Sequence, residues 1–508
     1  MQIKAKIIKG KYLDSIKLML ISRELRSLKG VLEAVAIVAT SENREILKAS
    51  NMLVDEINSA AENDIAIVIK ADSEKSALEA INKAEELISQ PSANNYNQSP
   101  IPYTFTLEKA IAALGKADLC LISVTGKYAA AEAEKALEKG LHILLFSDNV
   151  SLEDELSLKQ KALNKGLLMM GPDCGTAILN GVSLAFANNV PRGKIGIVAA
   201  SGTGLQEISS TIANLGGGIS QAFGTGGRDG KKEIGGIMLT ACLTYLLEDE
   251  ETEVIIVTGK PPAEEVREKL WKLISLTSKP VIVNFLLPMQ IPEQPNLFYT
   301  CSLAETALVA CQKAGMEIKN KNLSDDFPLP PLRGPYLRGL YSGGTLCREA
   351  IQVYFDNFGR EPFNNVTDQD SFQLTDGWQT KEDSIIDLGS DEFTVGRPHP
   401  MIDYSLRLQK LAQEAENTKV GIILMDVVLG FGAHPDPAAE LVPAIKKLPA
   451  DLIVVCHLLG TDSDPQNRQK QKKELQQAGA YIFTSHHSAC EFVCKCLQVY
   501  RRQNAENK

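Results

Sequence analysis

The apolar positions of the chain fall into short strand-like runs separated by stretches with helical spacing. Before residue 90 this pattern predicts three strands and two helices: Ile3–Ile8, Tyr12–Leu28, Val31–Ala39, Ile65–Lys70 and Ser73–Ile88. The order strand, helix, strand, strand, helix predicts a small ferredoxin-like, split βαβ module over residues 1–92. A stretch rich in Asn, Ser and Pro at 90–103 is typical of a linker.

Helices and strands then alternate regularly through residues 103–192. The predicted helices and strands are Leu107–Leu114, Leu119–Val124, Ala129–Lys139, His142–Phe146, Leu152–Lys165 and Leu167–Met170. Strands separated by helices of this length predict a parallel sheet with right-handed crossovers, as in a Rossmann-like domain. The glycine fingerprint of dinucleotide-binding proteins is missing after the first strand, so nothing here favours a dinucleotide.

The remaining sequence contains two similar segments in tandem. Strand Ile195–Ala199 runs into Ser201-Gly202-Thr203-Gly204 and a helix, and strand Tyr336–Tyr341 runs into Ser342-Gly343-Gly344-Thr345 and a helix. A charged, proline-rich stretch at 319–334 separates the two copies, and the second carries an insertion around 355–400. The sequence therefore predicts an α/β protein that ends in two flavodoxin-like domains, at 193–318 and 334–500.

Composition narrows the possible partners of this chain of 508 residues. The formal net charge of −10 disfavours nucleic acid and anionic lipid surfaces. We see neither a signal peptide nor an apolar run long enough to span a membrane, so we expect a cytoplasmic protein. The ten cysteines include no CxxC pair, and we expect them to be reduced and to bind no metal.

The first candidate site is the turn Ser201-Gly202-Thr203-Gly204, which joins a hydrophobic strand to a helix. The first amides of a helix have no intrahelical acceptor and carry a partial positive charge, so a glycine turn at this position favours phosphate binding. The alternative is an ordinary turn capped by Thr203, with Gln206 completing a capping box. Gly343 and Gly344 occupy the corresponding turn of the second copy and are candidates for contact with the substrate.

The second candidate follows the very apolar strand that ends near Val428. Here Gly430, Phe431 and Gly432 expose backbone amides before a helix that Asp436 would cap, and an anion would have to bind away from that carboxylate. His434 could be an acid, a ligand or a covalent carrier, although a solvated loop histidine is the more common case.

Two further loops carry reactive side chains. Arg397 and His399 lie in a proline-stiffened loop and could clamp a carboxylate and move a proton, or Arg397 could simply pair with a neighbouring aspartate. Asp173 and Cys174 follow a strand end and could line a cleft, but Cys174 would be a nucleophile only if its pKa were lowered.

Several of these motifs resemble those of a known enzyme family. GPDCGTAILNG and GKIGIVAASGTGLQEIS are similar to the α subunit of succinyl-CoA synthetase, and IIDLGSDEF with VGIILMDVVLGFGAHPDP is similar to the carboxyl domain of its β subunit. Their order on one chain, after the N-terminal module, resembles the FdrA family. The resemblance implies that the 103–192 segment is of the CoA-binding type. It also implies that the helices after Ser201 and Gly432 face each other across a phosphate.

Three departures from the synthetases shape the functional prediction. The stretch LLPMQIPEQPNLFY lacks the histidine that synthetases phosphorylate, and both the ATP-grasp domain and the glycine-rich CoA loop are missing. The resemblance to FdrA then implies a subunit of oxamate carbamoyltransferase, which converts oxalurate and phosphate to oxamate and carbamoyl phosphate.

That enzyme would need an acyl- or carbamoyl-phosphate, a carboxylate acceptor and partner subunits, but no assured cofactor. One alternative is an acyl-CoA synthetase that uses CoA and a partner's ATP-grasp domain. Another is a non-catalytic scaffold.

Overall fold

A computed structural model describes residues 2–506, except 12, 14, 27, 41–42, 45–46, 49–51, 63, 90–103, 319–324, 326, 368 and 395–397. The chain divides into two compact units, residues 1–103 with 391–399 and residues 104–390 with 400–508. None of the described helices is long and apolar enough to cross a membrane. The predicted linker at 90–103 lies outside the described residues.

The first unit contains a three-stranded antiparallel sheet. Its strands and helices are β1 (Gln2–Ile8), α1 (Ser15–Arg26), β2 (Val31–Val38), β3 (Ile65–Ala71) and α2 (Glu74–Ser89), with single helical turns at Asp55–Asn58 and Asp391–Thr394. Strand β3 lies between β1 and β2 and is antiparallel to both. The apolar stripe of α2 is buried at Ala77, Ala80, Ile81, Ala84 and Ile88, as helical spacing requires. The predicted ferredoxin-like, split βαβ module is confirmed.

The second unit begins with a small parallel sheet of order β4-β5-β6. Its strands and helices are α3 (Leu107–Leu114), β4 (Leu119–Ile122), α4 (Gly126–Glu138), β5 (His142–Leu145), α5 (Leu152–Asn164) and β6 (Met169–Met170). The alternation of helix and parallel strand is the Rossmann-like arrangement that the sequence predicts.

The next sheet has seven strands in the order β13-β12-β11-β9-β10-β7-β8. The strands are β7 (Thr176–Leu179), β8 (Val182–Ala185), β9 (Arg192–Ala199), β10 (Ile219–Gly224), β11 (Val254–Thr258), β12 (Val281–Asn284) and β13 (Leu297–Tyr299), and the helices are α6 (Gly202–Asn214), α7 (Ile237–Glu248), α8 (Glu264–Ile274) and α9 (Leu303–Lys313). Its five parallel strands follow the flavodoxin-like order 2-1-3-4-5. The β7–β8 hairpin was not predicted. It pairs antiparallel with β10, so it belongs to this sheet rather than to the lobe predicted for 103–192.

The last sheet has the order β15-β16-β14-β17-β18-β19. Its strands are β14 (Tyr336–Tyr341), β15 (Phe363–Asn364), β16 (Ser384–Asp387), β17 (Val420–Val428), β18 (Ile453–Leu459) and β19 (Tyr481–Phe483), and its helices are α10 (Gly344–Phe358), α11 (Ser405–Glu416), α12 (Pro437–Ile445), α13 (Arg468–Gln477) and α14 (His486–Glu506). Apart from the short edge strand β15, which lies in the predicted insertion, the order is again 2-1-3-4-5. The predicted tandem repeat of flavodoxin-like folds is therefore confirmed.

The two flavodoxin-like domains share one hydrophobic core. Helices α6 and α9 of the first domain pack with α10 and α14 of the second, and the core includes Leu205, Leu303, Leu346 and Val493. Helix α6 is buried on nearly every side from Gly204 to Ile212. This packing fixes the starts of α6 and α10 relative to each other, and both starts follow the carboxyl end of a parallel strand.

Candidate functional site

The start of α6 meets the start of α10 at a contact that we name the helix seam, formed by residues 201–204 and 343–345. The Ser201 hydroxyl is hydrogen-bonded to the Thr345 hydroxyl. Ser201 also caps α6, because its Oγ accepts a hydrogen bond from the Gly204 amide at 3.0 Å. The two glycine turns of the sequence repeat are thereby brought together.

Glycine is required at the seam because the two backbones approach closely. A Cβ atom on Gly343 would lie 2.8 Å from Cγ2 of Thr203, and a Cβ on Gly204 would lie 3.1 Å from Cγ2 of Thr345. The start of α10 is held from behind by Asp426, whose carboxylate accepts hydrogen bonds from the Ser342 and Gly343 amides, each at 2.8 Å.

The first amides of both helices are available to a ligand. Among the described residues, none accepts a hydrogen bond from the amides of Gly202, Thr203, Gly344 or Thr345, and all four residues are partly exposed. Two helix N-termini that meet and leave their first amides without acceptors form a positive field suited to an anion.

Three charged side chains surround the seam, and sequence reasoning did not single them out. Asp387 ends β16, is only 8% exposed, and has Oδ2 at 2.8 Å from where a Cβ of Gly344 would lie. Lys260 follows β11, and both Lys260 and Arg348 of α10 lie close enough to Asp387 to affect its ionisation. Lys260 could have been found from sequence, because residues at the carboxyl ends of β9 and β11 flank the switch point of a flavodoxin-like sheet.

The pKa values of Asp387 and Lys260 depart from those of the free side chains. Burial, helped by the charge of Asp426, raises the pKa of the Asp387 carboxyl to about 7, against the opposing effects of the Gly389 amide, Arg348 and Lys260. The pKa of Lys260 is lowered, first because protein atoms displace water from its ammonium group and then because Arg348 carries the same charge. Lys260 as a whole residue is nevertheless exposed.

The structure corrects the prediction for Gly430, Phe431 and Gly432. The Gly430 amide donates to Oε1 of Gln466 at 3.0 Å, and the Phe431 amide donates to the Ala187 carbonyl at 2.8 Å. A Cβ on Gly432 would lie 2.8 Å from the ring of Phe186. The Gly430 and Phe431 amides therefore already have acceptors within the protein. The helix that meets the start of α6 is α10, and not the helix that follows Gly432.

His434 is buried rather than solvated. It is 4% exposed, and its Nδ1 accepts a hydrogen bond from the Asp436 amide at 3.1 Å. Its Nε2 lies 3.6 Å from a carboxylate oxygen of Glu440. Since both ring nitrogens have neighbours in the protein, this geometry favours a structural role over that of a covalent carrier. Asp436 caps α12 as predicted, accepting from the Ala439 amide at 3.4 Å.

The other predicted candidates are distributed as follows. Burial raises the pKa of the Cys174 thiol to about 12, so Cys174 is not a thiolate nucleophile at neutral pH. Asp173 is exposed and close enough to Lys260 to raise the pKa of that lysine. Arg397 lies outside the described residues. His399 is half-buried in the first compact unit. The roles of Arg397 and His399 stay predictions.

Comparison with known proteins identifies the family. The family model described as CoA-ligase matches residues 340–495, the CoA binding domain matches 191–286, and the domain described as "AllF, heavy metal-associated domain" matches 1–101. The chain is 39% identical to the uncharacterized protein YahF of Escherichia coli K12, over 97% of this chain and 99% of that protein. The chain belongs to the FdrA-type family of succinyl-CoA-synthetase-like proteins.

More distant relatives of this FdrA-type chain are ligase subunits. It is 28% identical to the α subunit of the ADP-forming succinate–CoA ligase of Aquifex aeolicus over 36% of this chain, and the match spans 60% of that subunit. It is 27% identical to the α subunit of malate–CoA ligase of Methylorubrum extorquens, spanning 62% of that subunit. Among solved structures, PH0766 from Pyrococcus horikoshii is similar over 77% of this chain and 86% of that chain, with 14% identity and a TM-score of 0.32.

Two of the family matches bear on individual domains of the FdrA-type chain. The CoA binding domain model falls on the first flavodoxin-like domain, whereas the sequence placed a CoA-binding-type lobe at 103–192. The heavy-metal-associated domain contains neither cysteine nor histidine, because the first of these residues in the chain are Cys120 and His142. Without thiolate or imidazole, this domain does not fit a soft transition metal.

Proposed function

We propose that the helix seam binds phosphate or an acyl-phosphate, and that the chain is a subunit of a carbamoyl- or acyl-phosphate transferase. The observation that carries the proposal is the meeting of two helix starts whose first amides have no acceptor among the described residues. Lys260 and Arg348 add two cations beside the same region. Amides fixed before the ligand arrives stabilise phosphate charge without reorganisation.

A transfer through a phosphorylated histidine is less well supported. Residues 285–299, which follow β12, contain no histidine. His457 is fully buried, with Nε2 at 2.7 Å from a carboxylate oxygen of Glu207. His486 is buried between Glu349 and the Tyr341 hydroxyl. Direct transfer between phosphate and an acceptor requires none of these side chains to leave its partner.

The specific reaction that we propose is the exchange of oxalurate and phosphate with oxamate and carbamoyl phosphate. Its two substrates in either direction are anionic, and the seam offers helix N-termini for phosphate and the Lys260–Arg348 pair for a carboxylate. A bound carboxylate that loses a charge-assisted partner typically loses about 2–5 kcal/mol of binding. Arg397 and His399 remain alternative candidates for the carboxylate clamp and for proton transfer.

The test uses the chain together with the proteins that co-purify with it. Phosphate release from carbamoyl phosphate should depend on oxamate, and isothermal titration should detect phosphate binding. Gly202→Asp places a carboxylate at the start of α6 and should abolish both signals. Thr106→Asp adds the same charge at the exposed cap of α3 and should change neither. Unchanged phosphate binding in a folded Gly202→Asp variant would contradict the proposal.

The second candidate is an acid–thiol ligase that works with a partner's ATP-grasp domain. It is favoured by the matches to CoA-ligase and CoA binding domains and by the ligase subunits among the relatives. Calorimetric binding of CoA to the purified chain would support it, as would labelling of a histidine by γ-labelled ATP in the presence of partner proteins. If CoA binds and oxamate does not stimulate phosphate release, the ligase assignment replaces the transferase.

A further inference from the structure

We propose that Asp387 is a catalytic residue that carries the proton exchanged between the acceptor nitrogen and the phosphate. This inference rests on the proposed transferase function and adds a named residue to it.

The backbone of Asp387 is held firmly at the end of β16. Its amide donates to Oδ1 of Asn365 at 2.9 Å, and Nδ2 of Asn365 donates back to the Asp387 carbonyl at 3.0 Å. One carboxylate oxygen, Oδ1, accepts from the Gly389 amide at 2.9 Å. This clamp leaves the side chain little freedom to swing away from the seam.

The other oxygen, Oδ2, points at the start of α10. It lies 2.8 Å from the position that a Cβ of Gly344 would occupy, and no described residue donates a hydrogen bond to it. A side chain that is 8% exposed normally satisfies its polar atoms. Helix α10 has no side-chain cap, so Asp387 is not serving as one. An unpartnered oxygen on a side chain that is only 8% exposed, beside open helix amides, indicates that a ligand completes the arrangement.

The charged and titratable groups that face Asp387 come from several different elements. Asp426 of β17 lies behind the seam, Arg348 and Cys347 belong to α10, and Lys260 follows β11. The Asp426 carboxylate disfavours a second negative charge, whereas the two cations stabilise one; the buried Cys347 thiol stays neutral. The resulting pKa of about 7 allows the carboxyl to accept and release a proton at neutral pH, as a general acid–base group must.

The proposed step conserves atoms and charge. The amide nitrogen of oxamate attacks the carbonyl carbon of carbamoyl phosphate, so an N–C bond forms and the C–O bond to phosphate breaks. The Asp387 carboxylate accepts the proton lost by that nitrogen. It then gives the proton to the leaving phosphate oxygen, which departs as hydrogen phosphate, and the carboxylate is restored. In the opposite direction the proton moves from hydrogen phosphate to the nitrogen by the same path.

The experiment compares Asp387→Asn with Asp356→Asn in the complex with co-purifying proteins. Asp356 lies on the exposed side of α10, where its carboxylate accepts from Nε2 of Gln352 at 2.8 Å. Asp387→Asn should lower kcat for phosphate release by on the order of 100–10,000-fold. It should still bind phosphate in the calorimeter, and Asp356→Asn should match the wild type in both assays.

The pH profile supplies an independent readout. Wild-type kcat should rise with pH through about 7, as Asp387 loses its proton, and the residual activity of Asp387→Asn should lack that inflection. If Asp387→Asn fails to fold, Asp387→Glu keeps the carboxyl group and should shift the inflection instead of removing it. The substrates titrate equally in every variant, so only the difference between profiles is interpreted.

The outcomes separate the two proposals. A folded Asp387→Asn variant with kcat within twofold of the wild type, or with the same inflection, overturns the role of Asp387 and leaves phosphate binding at the seam intact. An inflection that Asp387→Glu does not move overturns it as well. If the wild-type protein itself shows no phosphate binding in the calorimeter, the proposed function is refuted.

Discussion

Replacing Lys159 with methionine should destabilise the junction between the Rossmann-like lobe and the first flavodoxin-like domain. Lys159 of α5 is fully buried, and its Nζ lies 2.7 Å from a carboxylate oxygen of Glu155 and 2.7 Å from one of Asp229. It also donates to the Thr225 carbonyl at 3.0 Å. Asp229 in turn accepts from the Leu239 amide at the start of α7 at 2.7 Å. One ammonium group thus serves three acceptors in two lobes.

The magnitude follows from what the substitution leaves behind. Methionine fills a similar volume, so the loss is mainly electrostatic. Asp229 and Glu155 lose the cation between them, and of these two carboxylates Glu155 keeps Arg228 at 2.8 Å. Breaking a buried ion pair in this way typically costs about 3–5 kcal/mol. That is a large part of the roughly 5–15 kcal/mol by which a folded protein is usually stable.

Native-state hydrogen exchange measures the effect where it occurs. We expect the opening free energy of amides at 225–240 to fall by about 3–5 kcal/mol in Lys159→Met. Lys161→Met is the matched control on the same helix, because Lys161 pairs with the exposed Glu134 and Glu138. Its effect should stay below about 1 kcal/mol. Equal effects of the two substitutions would refute the reasoning.

Two further predictions concern the packing of the seam and the chemistry of the cysteines. Gly343→Ala should lower stability by about 1–3 kcal/mol, because its Cβ would meet Thr203 at 2.8 Å. Gly227→Ala, where no atom lies within 4 Å, should be neutral in the same denaturation experiment. Thr203→Ala removes Cγ2 and Oγ1 but leaves Cβ at 3.0 Å, so it should recover part of the stability lost in Gly343→Ala. Iodoacetamide at pH 7.5 should modify exposed Cys301 and spare buried Cys174, as peptide mass spectrometry would show. Rapid labelling of Cys174 in the folded protein would contradict its raised pKa.

Local pattern was enough to predict most of the architecture. Helical and strand-like spacing of apolar residues located the main strands, and the repeated strand–glycine–helix segments revealed the tandem domains. The β7–β8 hairpin was not predicted because each of its strands has only four residues, and one of them, β8, has no fully buried residue. Such short strands carry too little periodicity to be recognised.

The partner of the first glycine turn was harder to predict. In sequence, Gly430 and Gly432 resemble an exposed helix start. In the structure, the Gly430 amide donates to Gln466, 36 residues away, and the Phe431 amide donates to the Ala187 carbonyl, about 240 residues away. Nothing in the local sequence indicates hydrogen-bond acceptors that lie so far away along the chain. Asp387 and Arg348 were missed for the same reason, because their significance comes from the packing of α10 against α6 and not from their neighbours in the chain.

The presence of both helix starts on a single polypeptide has a consequence for how binding depends on protein concentration. Where two halves of a site belong to separate molecules, dilution drives them apart, and the fraction assembled depends on protein concentration. Here the tether keeps the effective concentration of one half near the other high at any dilution. Phosphate affinity per chain should therefore be independent of chain concentration, and any dilution-dependent loss of turnover would report the departure of another subunit.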